Sequence, residues 1–262
     1  NALFAVINVV TKTGEEIVNE QTYTFRDRGE REVTLRPEMT PTLARMVAAK
    51  RRELQFPLRW YSIPNVFRYE RPQRGRLREH FQLNCDLFGV TGVQAETEMV
   101  TLAHSLLTAF GAKDTDFEIR VGSRSFLEAQ LASKNFSKEE RSSLLRLLDQ
   151  RGKLSDEEIE HRLQAFKVSL RDLAPKEAPA EVAELIANVG RIGITNVIWD
   201  PGIIRGFDYY TGIVFEVFDT HPENNRSLFG GGRYDNLLSL FSDEKVPAVG
   251  FGMGDVTLKD FL

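Results

Sequence analysis

Residues 137–189 constrain the fold most, because they are helical and densely charged while the chain on either side is rich in strands. Ser137–Leu148 and Ser155–Phe166 each open with a serine followed three residues later by a glutamate, Ser137 with Glu140 and Ser155 with Glu158. At that spacing the serine hydroxyl accepts from the glutamate backbone N–H and the carboxylate reaches back, so two helix starts are predicted. With Pro179–Val189 they form a small helical insert, whose carboxylates are most simply a solvated face. The pattern is α+β: helices on a mostly antiparallel sheet with a helical insertion, not a doubly wound βαβ series. It divides the chain into a first core part at 1–112, a strand plus helical insertion at 113–194, and a second core part at 195–262.

The strand-rich parts carry their own signals. Tyr23 and Phe25, then Val33 and Leu35, alternate around Asp27-Arg28-Gly29, so Gln21–Leu35 reads as a hairpin. Thr40 to Leu54 has Leu43, Met46, Val47 and Leu54 at helical spacing, with Lys50, Arg51 and Arg52 where cations suit the helix dipole. Arg59–Glu70 and Phe81–Phe88 read as strands, joined by the polar loop Arg71–His80. Gln94–Phe110 reads as a helix with Met99, Leu102, Leu106 and Leu107 on one face and Gly111 as its stop. Beyond the insert, Asn196–Trp199 and Ile203–Phe218 read as strands, Gly230-Gly231-Gly232 as a turn, and Ala248–Leu258 as the last regular segment.

Composition excludes several classes. A formal net charge of -4 gives no global basic field, so any nucleic-acid contact must come from local clusters. The single cysteine, Cys85, allows no intramolecular disulfide and no cysteine zinc cage, and suits a reducing cytoplasm. It sits mid-strand and reads as a small buried residue. His80, His104, His161 and His221 have no ligand spacing, so no metal held by protein ligands is expected. No apolar run approaches the roughly 18 residues of a membrane helix and no secretory signal opens the chain, so a cytoplasmic protein without a membrane partner is expected. The start at Asn1 and the end at Leu262 in an apolar stretch read as a truncated form of a longer chain.

Chemistry concentrates in a few strings. Between Phe67 and Gln82 stand five arginines, Arg68, Arg71, Arg74, Arg76 and Arg78. On a regular strand Arg68 and Glu70 share a face, while Arg74, Arg76 and Arg78 belong to the loop. A fixed guanidinium and mobile ones could hold a polyphosphate; they could equally be a charged hairpin tip in solvent. Gln82 and Asp86, four apart on a strand, can look into one pocket. Glu38 in Leu35-Arg36-Pro37-Glu38-Met39-Thr40 suits a first helical turn whether or not it binds anything, and a carboxylate is also a sensible partner for an α-ammonium. Arg205 and Asp208 beside Tyr209 and Tyr210 make a poor generic core, since such charges are rarely buried unless paired.

Phe67-Arg68-x-Glu70, the loop with Arg76 and the strand with Gln82 resemble motif 2 of class II aminoacyl-tRNA synthetases, at 59–89. The run from Arg68 to Arg76, Arg-x-Glu-Arg-Pro-Gln-x-Gly-Arg, resembles the version found in histidyl-tRNA synthetases. Arg205-Gly206-Phe207-Asp208-Tyr209-Tyr210-Thr211-Gly212-Ile213-Val214-Phe215-Glu216 resembles that family's histidine-specific motif. Gly231-Gly232-Arg233-Tyr234-Asp235 is similar to its second histidine motif, residues 35–40 to its Leu-Arg-Pro-Glu-Gly-Thr segment, and Gly250-Phe251-Gly252-Met253-Gly254 to the start of motif 3.

The resemblance implies a class II catalytic core that activates L-histidine with ATP and Mg2+ and passes it to tRNA(His), working as a homodimer. It implies that Glu38, Thr40, Arg68, Gln82, Asp86, Arg205, Tyr209, Tyr210 and Tyr234 bind histidine, the two tyrosines 209 and 210 bounding a flat pocket with hydroxyls for an imidazole. Arg68, Glu70, Arg76, Gly252 and Gly254 would bind ATP, the glycines letting the nucleotide lie against backbone. The histidine carboxylate, already ionised near neutral pH, would attack the α-phosphate while Arg68 and Arg205 bracket it.

Departures from the family pattern are Met39 for Gly, Asp86 where Glu is frequent, His80-Phe81 where Phe-His is common, and Val256-Thr257 where motif 3 has Glu-Arg. Thr257 supplies no positive charge, so Arg76 or Arg233 compensates or nucleotide binding is weaker. The family's anticodon-binding domain and most of motif 1 lie outside the sequence. Two rivals share the fold: the regulatory paralogue that partners ATP phosphoribosyltransferase, which binds histidine without adenylation, and a synthetase-like tRNA-binding module that turns over nothing.

Overall fold

The alternation near the start of the chain produces the expected hairpin, and one further strand joins it. Among the residues described by the computed structural model (4–6, 21–70, 75–149, 154–173, 177–205, 209–224 and 227–262), β1 (Phe4–Val6), β2 (Thr24–Arg26) and β3 (Glu32–Leu35) form an antiparallel sheet in the order β1-β3-β2. Phe25 stands opposite Val33 and Thr24 opposite Thr34. Asp27 holds the turn by accepting from the N–H groups of Gly29 and Arg31, and Glu30 takes the left-handed φ of 58° that closes it.

Helix α1 (Thr40–Lys50) stops short of the predicted Leu54, and Glu38 precedes it. Glu38 is therefore not a first-turn residue, and the helix-dipole account of it falls away. Leu43 and Val47 are buried while Met46 is exposed, so the apolar stripe is narrower than the spacing suggested.

The strand predicted at 59–70 is two strands, β4 (Leu58–Ser62) and β5 (Asn65–Phe67). Pro64 between them has no N–H for a ladder, and its carbonyl accepts from the Gln82 N–H instead (3.0 Å). The chain leaves β5 after Phe67 and turns so tightly that the Glu70 N–H bonds the Arg68 carbonyl at 2.8 Å. Arg68 and Glu70 thus lie off the strand, and their shared strand face does not exist. Strand β6 (Glu79–Phe88) pairs antiparallel with both β4 and β5. Helix α2 (Gln94–Ala109) ends as expected at Gly111, whose φ is 99°, with the Ala112 N–H bonding the Leu107 carbonyl (3.1 Å).

Strand β7 (Phe117–Ser123) leads into the insert: α3 (Arg124–Ser133), α4 (Lys138–Asp149), α5 (Asp156–Leu163) with a 3-10 turn at Gln164–Phe166, α6 (Leu170–Leu173) and α7 (Ala180–Arg191). Ser137 and Glu140 make the reciprocal capping bonds (3.1 and 2.8 Å), and Ser155 accepts from the Glu158 N–H (3.2 Å). Helix α3 carries no capping box and was not legible; α6 has a reciprocal one that the sequence reading passed over, the Asp172 N–H donating to Ser169 Oγ (3.3 Å) and the Ser169 N–H to Asp172 Oδ2 (2.9 Å). Strands β8 (Val197–Trp199), β9 (Ile213–Asp219), β10 (Ser227–Arg233) and β11 (Ala248–Gly254) and helix α8 (Asp255–Phe261) complete the chain.

Two expectations fail here. Among its described residues the long strand at 203–218 is strand only from Ile213, and Arg205 has the left-handed φ of 63° that a regular strand does not allow. Gly230-Gly231-Gly232 is not a turn but the middle of β10. A Cβ at Gly232 would meet the Ile213 carbonyl at 2.8 Å, so the glycine permits a close approach of β9 and β10.

The chain forms two compact units, one of residues 1–95, 207–209 and 234–262, the other of 96–206 and 210–233. In the first, β11 and β4 flank β6, and the buried residues include Val47, Val66, Phe88 and Val249. In the second the order is β10-β9-β7-β8, with the β7–β8 pair parallel. Phe117, Ile119, Phe215 and Val217 are buried along its strands, and Leu131, Leu144, Ile159 and Leu163 form a core of the insert itself. At about 1.5–3 kcal/mol per buried large apolar side chain, that cluster is a substantial stabilisation of the inserted helices. The fold is α+β with mostly antiparallel pairing, as expected. No described helix is long and apolar enough to cross a membrane.

Candidate active site

Strand β6 is the platform of the first unit. Period two places His80, Gln82, Asn84 and Asp86 on one face, as predicted for Gln82 and Asp86. Asp86 is 3% exposed and accepts a hydrogen bond from the Tyr234 hydroxyl. Burial pushes its carboxyl up to about 7, against the opposing effect of the Tyr234 bond. Its Oδ2 is buried with no hydrogen-bond partner among the described residues. Across the ladder stands Gly250, where a Cβ would come within 2.3 Å of Asp86 Oδ1. A Cβ at Gly252 would likewise meet the Gln82 side chain at 2.9 Å, so these glycines make room for β6 side chains. Around Gly254 an added Cβ would find its nearest neighbours at 3.7 Å, in His80 and Thr257.

Glu38 is the second buried carboxylate, 5% exposed, and the Tyr209 hydroxyl donates to its Oε2 at 2.8 Å. The rings of Tyr209 and Tyr234 meet edge to face with centroids 5.8 Å apart, so the two carboxylate–tyrosine pairs form one cluster. The Glu38 segment is fixed from both sides. Arg36 donates through Nε and Nη2 to the Asn65 carbonyl and Oδ1 (both 2.7 Å), and Asn65 in turn donates to Glu79 (2.9 Å). Arg68 donates through Nε to the Pro37 carbonyl (2.9 Å), which brings a guanidinium to the residue next to Glu38. Thr40 opens α1 two residues beyond Glu38. Paired carboxylates, hydroxyls and an adjacent cation suit a small zwitterion with further N–H donors.

The arginine-rich segment closes on itself. Arg76 pairs with Glu70 (3.0 Å), and Arg78 stacks over the Tyr69 ring (4.4 Å) while its Nε bonds the Glu70 carbonyl (3.2 Å). Arg71 and Arg74 lie outside the described residues. Burial and the nearby Arg68 guanidinium hold His80 below the usual imidazole range. Burial and the Asp86 carboxylate push the Cys85 thiol up to about 11, so it is no nucleophile at neutral pH. Asp255 accepts from the Phe81 N–H (3.1 Å), and Thr257, where an arginine is usual, bonds the Gly254 carbonyl (3.2 Å).

Arg205 and Tyr210 belong to the second unit; Gly206, Phe207 and Asp208 lie outside the described residues. Tyr210 is buried, and Arg205 pairs with Glu216 (2.9 Å). Arg233 is committed to a buried two-point pair with Glu96 (2.5 and 2.6 Å), which speaks against its standing in for the motif 3 arginine; Arg76, itself paired with Glu70, and weaker nucleotide binding are the other two readings. Glu96 and Asn65 carry no signature of their own in the sequence, while Glu216 and Arg36 fall inside the motif-like runs 205–216 and 35–40 without a role assigned to them there. The unexplained charges of Arg205 and Arg233 were the only hint that carboxylate partners had to exist. Among the described residues no group of three or more His, Cys, Asp or Glu is placed to hold a metal ion.

A family model for histidyl-tRNA synthetase matches residues 3–173 and 154–256. The chain belongs to the histidyl-tRNA synthetase family. It is 48% identical to a histidine–tRNA ligase of Leptospira biflexa over 96% of this chain and 62% of that protein, and 39% identical to one of Thermoplasma volcanium over 94% and 62%. It thus spans about 62% of the length of these curated members of the histidyl-tRNA synthetase family. A solved structure from Bacillus halodurans C, described as an ATP phosphoribosyltransferase regulatory subunit/histidyl-tRNA synthetase, aligns with a TM-score of 0.82 at 23% identity, covering 100% of this chain and 73% of that one. The histidyl-tRNA synthetase of Nostoc sp. PCC 7120 aligns at 0.79 with 22% identity, over 98% and 65%. Both share the fold.

Proposed function

We propose that this chain is the catalytic core of a histidine–tRNA ligase, activating L-histidine with ATP and transferring it to tRNA(His). The cluster of Glu38–Tyr209 and Asp86–Tyr234 carries this reading, because it offers two buried acceptors to a ligand with two separate N–H-bearing ends. Glu38 would take the α-ammonium, aided by Thr40, and Asp86 with Tyr234 the imidazole, beside Gln82; for Tyr210 and Arg205 a histidine-binding role is what the family resemblance implies. The histidine carboxylate is ionised near neutral pH, so no general base is needed. It attacks the α-phosphorus in line, the new C–O–P bond forming as pyrophosphate leaves. Arg68, tethered to the Pro37 carbonyl, would neutralise the charge that develops, a role the family resemblance also gives Arg205. Glu70 and Arg76 would hold the ATP end, with Gly252 and Gly254. Magnesium carried in with ATP would offset phosphate charge.

The 48% identity to a histidine–tRNA ligase favours this over the regulatory paralogue. A homodimer acting in the cytoplasm completes the reading. The test is histidine-dependent exchange of labelled pyrophosphate into ATP. The expected result is exchange that falls by about 10²–10³ in Arg68→Ala while histidine still binds. Saturable histidine binding with no exchange in the unaltered protein refutes the reading.

A further inference from the structure

We propose that Glu216 is a positioning residue that aims Arg205 in the adenylation step; this rests on the reading above. Arg205 is not a glycine, yet its φ of 63° lies in the left-handed region, so the surrounding structure must hold it there. Its Nη1 donates to Glu216 Oε1 at 2.9 Å, and both side chains are largely buried, 16% and 20% exposed. Glu216 on β9 stands directly opposite Gly230 on β10. A Cβ at Gly230 would come within 2.8 Å of Arg205 Nη1 and 2.3 Å of the Phe215 carbonyl. The guanidinium therefore lies in a slot opened by a missing side chain on one strand and gripped by the carboxylate of its cross-strand partner.

A guanidinium is a rigid planar fork of five N–H donors, so fixing one N–H sets the direction of the others. That is what a cation facing developing phosphate charge requires, because a displacement of about 1 Å can cost about 10²-fold in rate. Glu216 also offsets the cost of keeping Arg205 buried before any nucleotide binds. A carboxylate serving only to hold the two strands together would affect folding and not the chemical step. The two roles separate in kcat.

The experiment measures pyrophosphate exchange and histidine binding in the intact protein for Glu216→Ala, Glu216→Gln, Arg205→Ala and the double variant Glu216→Ala/Arg205→Ala, with circular dichroism as the check on folding. Glu216→Ala is expected to lower kcat about 10²-fold, with a much smaller rise in the KM for histidine. Glu216→Gln keeps an acceptor but loses charge assistance, and is expected to lose about 10-fold. The double variant is expected to be no slower than Arg205→Ala, since two residues acting through one interaction are not additive. Unchanged kcat in Glu216→Ala, or an additive loss in the double variant, overturns the proposal. Should Glu216→Ala fail to fold, an unchanged kcat in Glu216→Gln overturns it. Full exchange in Arg205→Ala sinks the role of Arg205 itself, and the positioning role with it.

Discussion

Replacing Asp86 by asparagine should flatten part of the protein's pH dependence. Burial raises the Asp86 carboxyl from 3.8 to about 7, so between those values the folded protein keeps a proton that the unfolded chain has released. A raised carboxyl pKa stabilises the fold at low pH: the contribution is fully present below about 3.8 and is lost as pH rises through about 7. At about 1.4 kcal/mol per pH unit, the rise from about pH 5 to about pH 7 removes roughly 2–3 kcal/mol. Asparagine has nearly the same shape, its Oδ1 can accept from Tyr234, and it cannot ionise. Urea unfolding of both proteins across about pH 5 to 8 is the assay. The stability of the unaltered protein minus that of Asp86→Asn should fall by roughly 2–3 kcal/mol to about pH 7 and level off above it. A constant difference would show that Asp86 keeps its ordinary acidity in the fold, and the desolvation argument would be wrong.

Breaking the buried Arg233–Glu96 pair with Glu96→Gln should cost about 3–5 kcal/mol in urea unfolding, because it strands a buried guanidinium. Leu144→Ala, at a fully buried position of the insert core, should cost about 3 kcal/mol by the same measurement.

Much of the fold was legible where local rules act alone. The 21–35 hairpin, the Gly111 stop and the Ser137–Glu140 capping box each follow from a few neighbouring residues, and each is present. Reading failed where a distant segment decides. Gly230–Gly232 read as a turn because glycine usually marks one, but here Arg205 and β9 need the space. The strand at 59–70 ran too far because the break at Ile63-Pro64 and the turn after Phe67 interrupt an otherwise β-like composition. At the candidate site, a resemblance found Glu38, Asp86, Tyr209 and Tyr234, but it was the structure that paired each carboxylate with its tyrosine. Glu96 was invisible, and Glu216 stood at the end of the 205–216 run with nothing to tie it to Arg205, because a buried charge announces only that it has a partner, not where in the sequence that partner lies.

The pairing of β6 with β11 has a consequence for how the protein is made. A ribosome releases Glu79–Phe88 long before Ala248–Gly254, and β6 needs both β4 on one edge and β11 on the other. During that interval the nascent chain carries an open strand edge, the kind of surface that recruits stray strands from other molecules. The same edge bears Gln82 and Asp86. The strand carrying them is thus left unfinished for much of translation, and completing it depends on a segment made near the end of this sequence.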